Sequence, residues 1–201
     1  MVQRMIFQPR RMLYLLCGLL PVLACADVVR GVNPDNGLKS WHFTEGDIDI
    51  ELIQRLPDQS RALFMKHAFS REVIEDLATS CMFQTIIRNT GNPAAGRAVT
   101  PDLAQWRMWY DGKETGIKLK EAWLASWTDE QVDHAAKLVI RWGMFPTQQE
   151  YLPGDYNWGL TTYGIPPGSI FDLEVFWTEG ETLRSGRIDN IECAPDVDSL
   201  K

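Results

Sequence analysis

The sequence is poor in the residues that most reactions recruit. It holds three His and four Cys in 201 residues. It has no CxxC pair, no HExxH, no GxSxG, no GxxxxGK[ST] and no GxGxxG after a strand. Their absence removes the simple routes to thioredoxin-like redox, zincin, serine-hydrolase, nucleotide-binding and c-type haem chemistry. Positive charge is also scarce. Lys and Arg number 20 against 27 Asp and Glu, for a net charge of −7. That balance leaves no basic patch of the kind nucleic acid requires. No internal repeat or low-complexity stretch is present, and no apolar run beyond the first twenty-six residues is long enough to span a bilayer. The hydrophobic content of 45% and eight Trp nevertheless match a chain with a real core.

The N-terminal segment reads as an export signal. Arg4, Arg10 and Arg11 precede an apolar run from Met12 to Leu23, and the first acid is Asp27. Positive n-region, apolar h-region and small residues at the cut are the secretory layout. Ala24-Cys25-Ala26 fits a signal-peptidase site, with a cut after residue 26. Val22-Leu23-Ala24-Cys25 resembles the lipobox of bacterial lipoproteins. That resemblance implies residues 1–24 as signal peptide and a lipidated Cys25, and an uncleaved anchor is the third option. A periplasmic or cell-envelope location is expected, with membrane contact only through such an anchor. Loss of residues 1–24, which carry three Arg and no acid, takes the net charge from −7 to −10.

Two cysteines remain, Cys81 and Cys193. An even pair in an oxidising compartment is most simply one disulfide. It ties an early strand to the last one, and a loop of that length contributes on the order of 4–5 kcal/mol in the chain-entropy model.

Along the mature chain, residues 25–40 contain Gly31, Pro34, Asn36 and Gly37 and read as a tether. Residues 47–52 alternate apolar and acidic, which predicts a half-buried strand with Ile48, Ile50 and Leu52 inward. Residues 60–80 take helical spacing, with Ser70 as an N-cap. Residues 82–88 return to strand character. Asp111-Gly112 after Trp106–Tyr110 is a tight-turn signal. A short helix is expected around 121–127, and another begins at the Thr128–Gln131 capping box and runs to Ala136. From Lys137 onward the chain reads as all-β, with an alternating strand over 170–178 and a hairpin at Glu179-Gly180. Seven or more short strands predict a mainly β, antiparallel sandwich-like single domain over 41–195, with short helical insertions and an acidic tail at 196–201.

Three groups carry chemistry. The aromatic-rich stretch 148–163 has the composition of a recognition surface, and Tyr151, Tyr156, Trp158 and Tyr163 are the candidate partner-binding residues. Met65, His67, Met82 and His42 combine thioether and imidazole, a donor set that suits copper. On a regular helix, though, Met65 and His67 point to different faces. Asp47, Asp49 and Glu51 fall at period two, where neighbouring carboxylates can shift one another's pKa for acid–base work. The reading that results is an exported, non-catalytic binding or assembly module that contacts a protein or saccharide through its aromatic surface, with no resident cofactor. A copper-binding or copper-delivery protein and a carboxylate-dependent envelope hydrolase are the alternatives.

Overall fold

The computed structural model describes residues 26–196; the expected signal segment, Cys25 and the end of the acidic tail lie outside them. Among the described residues, ten strands form two antiparallel sheets. The first sheet has the order β1-β2-β3-β4-β8. Its strands are β1 (Asp27–Val32), β2 (Lys39–Glu45), β3 (Ile48–Gln54), β4 (Met82–Asn89) and β8 (Tyr156–Thr162). The second runs β10-β9-β6-β7, with β5 also paired to β9. It comprises β5 (Val99–Pro101), β6 (Arg107–Tyr110), β7 (Lys113–Gly116), β9 (Ile170–Glu179) and β10 (Thr182–Glu192). The mainly β, sandwich-like class expected from the strand spacing is the observed one.

The alternation read from the sequence sets the inner faces. Ile48, Ile50 and Leu52 are buried on β3, and Phe171, Leu173, Val175 and Trp177 are buried on β9. They meet in one core with Phe43, Phe83 and Trp106. Asp111 and Gly112 both take positive φ, +50° and +69°, the backbone of the tight turn that joins β6 to β7. Cys81, just before β4, and Cys193, just after β10, are bonded across a separation of 112 residues inside this core. The disulfide therefore ties the first sheet to the second.

Three expectations are corrected. Residues 27–32 are an edge strand instead of a tether, paired to β2 from Asp27↔Thr44 to Val32↔Lys39. Pro34, Asn36 and Gly37 mark the hairpin turn between them, closed by Asn33 N–H donating to the Leu38 carbonyl. The apolar run after Lys137 is helix, not strand. Ala136 and Ile140 are buried at a spacing of four, Met144 continues the row, and Asp133 caps the start by accepting from Ala136 N–H. Gln131 does accept from the Thr128 N–H, but in a turn ahead of that helix.

Four α-helices among the described residues enter as two insertions. α1 (Pro57–Phe64) and α2 (Arg71–Ala78) lie between β3 and β4; α3 (Lys120–Ser126) and α4 (His134–Gly143) lie between β7 and β8. They share a second core, with Phe64, Leu77, Trp123 and Ile140 packed on Met82 of β4 and Leu160 of β8. The helices thus cover part of the first sheet's outer face. Arg61 ion-pairs with Asp58, Glu75 and Asp196, joining α1 to α2 and to the segment after β10.

Replacing Cys81 and Cys193 together by Ala is expected to cost about 4–5 kcal/mol, the loop-entropy value for a closure of this length. Urea unfolding of the oxidised wild type and the double variant measures it.

Candidate functional site

The outer face of the first sheet follows from strand register. β4 pairs with β8 so that Gln84 opposes Leu160, Ile86 opposes Trp158 and Arg88 opposes Tyr156. Opposed residues share a face. Phe83 and Ile87 point into the sandwich core, so these six point away from it. Leu63 and Phe64 of α1, Val139, Ile140 and Gly143 of α4, and Met144 just after it line the space over this face. Together they enclose a groove of about 770 Å³, with Arg55 between β3 and α1. That is within the roughly 300–1,000 Å³ range of small-molecule sites, and its walls are chiefly apolar, as such sites are.

Gly159 sets how closely the chain after α4 approaches β8. A Cβ there would lie 2.9 Å from both Cα and N of Phe145. The missing side chain lets the segment after α4 lie directly on β8, where Phe145 N–H donates to the Leu160 carbonyl. The C-terminus of α4 is held at the groove's edge by that contact.

The two cations in the groove differ in their partners. Arg88 donates to Asp49 at 2.7 Å and to Glu51 at 3.0 Å, and Asp49 also bonds His42 Nε2. Arg55 is different. Its buried Nε has no hydrogen-bond partner, and among the described residues its guanidinium makes no ion pair. Burial lowers its pKa from the ordinary value.

The aromatic candidates divide. Tyr156 and Trp158 are 66% and 63% exposed on the outward face of β8 and line the groove. Tyr151 and Tyr163 are not surface residues and are corrected to core positions. Tyr151 is 1% exposed, held by reciprocal backbone hydrogen bonds with Val99, and its hydroxyl donates to Gln149. Tyr163 packs its ring on Phe83 and Phe171, with centroids 5.4 and 4.6 Å away. Tyr156 and Trp158, two residues apart on β8, share its outward face, whereas Tyr151 precedes the strand and Tyr163 follows it. On the second sheet, Trp109 points outward beneath the Arg187 guanidinium, 4.5 Å from its ring centre.

The metal candidates do not assemble. Met65, at the end of α1, and His67 are exposed. Met82 is buried under the helices, where its Sδ accepts from the Ser60 hydroxyl, and His42 is bonded to Asp49. No group of three or more His, Cys, Asp and Glu side chains able to hold a metal ion occurs among the described residues. The carboxylate row is shorter than expected. Asp47 lies in the turn before β3 and ion-pairs with Arg97, leaving Asp49 and Glu51 together on the outer face, both engaged by Arg88.

Sequence reasoning missed Arg55, Ile86, Val139 and Gly143. Ile86 carried a signal, since Ile86-Ile87 gives β4 an apolar residue on each face. Arg55 carried none. Comparison with protein-family models, with curated proteins and with solved structures found no match.

Trp158→Ser should leave stability within about 0.5 kcal/mol, as for an exposed site. Tyr163→Ala should cost roughly 3–5 kcal/mol, as for a large buried ring. Denaturant titration of the two variants separates the cases. Burial pushes the Tyr151 phenol up from 10.0 to about 12. The folded state then holds its proton more tightly than the unfolded chain, so this contribution is whole below pH 10 and is lost as pH rises towards 12. Tyr151→Phe should flatten the fall in stability across that window, measured by thermal melting at a series of alkaline pH values.

Proposed function

We propose that the protein is an exported, non-catalytic binding module of the bacterial cell envelope whose ligand-binding surface is the groove on the outer face of the first sheet. One observation carries the reading: Tyr156 and Trp158 stand exposed on a strand and, with two helices, line a cleft whose walls are otherwise mostly aliphatic. Soluble proteins rarely leave such surface open, and open apolar clefts mark binding sites. The groove's lining contains no His, Cys, Ser, Asp or Glu among the described residues. It therefore supplies shape and apolar area, the means of binding. An apolar occupant suits these walls better than a saccharide, which would need several hydrogen-bonding groups to replace its water. The export reading rests on the Arg-flanked apolar leader and on the Cys81–Cys193 disulfide.

The test is photo-crosslinking in the producing cell. A benzophenone amino acid replaces Trp158 in one variant and Leu183, exposed on β10 of the other sheet, in a second. A discrete adduct at 158 that is absent at 183 is the expected result. Equal labelling at both positions, or none at 158 in a folded variant, would overturn the assignment of the groove.

A further inference from the structure

The groove contains an unmatched charge that restricts what fills it. Asp49 and Glu51 both engage Arg88, and no carboxylate lines the groove among the described residues. Arg55 has its Nε buried without a hydrogen-bond partner, and among the described residues its guanidinium makes no ion pair. A guanidinium is a planar fork of donors that matches a carboxylate in two-point contact, and it stays charged when partly desolvated. A partly buried cation without a counter-charge is costly, and a ligand anion removes that cost. The rest of the floor and walls, Ile86, Trp158, Leu160, Leu63 and Val139, asks for an apolar body. Along β4 and β8 the outward positions from Gln84 to Arg88 cover four residue steps, roughly 13 Å of strand. Arg55 lies past the Gln84 end, beside Met82, to whose carbonyl it donates its backbone N–H. The net charge of −7 opposes ligands carrying many negative charges but tolerates one anion at one local cation.

We infer that the groove binds a single-chain amphiphile with one carboxylate head, of the fatty-acid class, its chain lying between α1, α4 and the outer face of β4 and β8 and its head group on Arg55. This rests on the groove's being the binding surface proposed above. It adds the chemical class of the occupant and names Arg55 as the residue that selects an anionic head. The chain is held by shape and apolar contact, and the head by a charge-assisted pair in a site partly shielded from water.

The experiment compares palmitate with cetyl alcohol, which keeps the chain and lacks the anion. Binding to the purified full chain is followed through tryptophan emission and checked by calorimetry below the concentration at which palmitate aggregates. Three variants are used. Arg55→Gln removes the charge, and Arg55→Lys keeps the charge without the fork. Gly143→Phe fills the groove from a position where a Cβ meets no heavy atom within 4 Å. Thermal melting establishes that each is folded. Wild type should bind one palmitate at least tenfold more tightly than the alcohol. Arg55→Gln should lose that preference, weakening palmitate far more than the alcohol, Arg55→Lys should fall between, and Gly143→Phe should lose both ligands. Equal affinity of wild type and folded Arg55→Gln for palmitate would overturn the head-group assignment. Saturable binding untouched by Gly143→Phe would place the chain elsewhere and overturn the proposal. Failure of wild type to bind palmitate would overturn it too, and the crosslink at position 158 then decides the binding-module reading separately. A polypeptide adduct at 158 that palmitate does not displace would show that a protein segment occupies the groove and would also overturn it.

Discussion

Strands β4 and β8 bury side chains on both faces, and much of the architecture answers to that requirement. Phe83 and Ile87 enter the sandwich core, while Met82 and Leu160 on the opposite face lie beneath helices. A two-layer sandwich would leave those outward residues in water. The two helical insertions supply a third layer over one end of the sheet and build their own core of Phe64, Leu77, Trp123 and Ile140. The cover stops partway along the strands. Ile86, Trp158 and Tyr156 continue the outward row without a helix above them, and the groove is the space that remains. Its walls are the flanks of the helices, so the same packing that stabilises the third layer shapes the site.

Two tethers hold this arrangement. The Cys81–Cys193 bond joins the start of β4 to the end of β10, so the strand that floors the groove is fixed to the opposite sheet. Arg61 binds Asp58, Glu75 and Asp196, which fixes α1 against α2 and against the chain that follows the disulfide. On the other side Gly159 lets the end of α4 lie on β8. One wall is thus anchored by side-chain ion pairs and the other by a backbone hydrogen bond to β8. Such anchoring suits a preformed cleft, since less ordering is then required on binding.

The electrostatics of the outer face show a similar division of labour. Asp49 and Glu51, which in isolation resemble a reactive carboxylate pair, are satisfied by Arg88, and Asp49 by His42 as well. Their spacing along β3 is a consequence of the pleat, and their partners come from neighbouring strands. Arg55, four residues from Glu51 on the same chain segment, has no such partner among the described residues. Residues alike in sequence terms acquire opposite roles according to what the adjoining strand presents.

Period-two alternation was enough to orient β3 and β9, because an antiparallel strand between a core and an outer face must alternate in polarity. The Asp111-Gly112 turn, the N-cap at Ser70 and the pairing of the two remaining cysteines were legible for equally local or combinatorial reasons. Local signals were misleading where one composition serves two structures. Pro34 to Gly37 suits a hairpin turn as well as a linker, and Leu138-Val139-Ile140 suits a buried strand until Ala136, Ile140 and Met144 are read as one helical row. Composition marked 148–163 as aromatic, but only the pleat of β8 and the pairing of Tyr151 with Val99 assigned Tyr156 and Trp158 to the surface and Tyr151 and Tyr163 to the interior. The sequence by itself determined the mainly β, sandwich-like class, the strand faces and the disulfide, because these depend on residue period and on counting thiols. Tertiary structure alone decided the groove and the isolation of Arg55, because both arise where segments distant in the chain meet, and no local pattern encodes which partner a side chain will find.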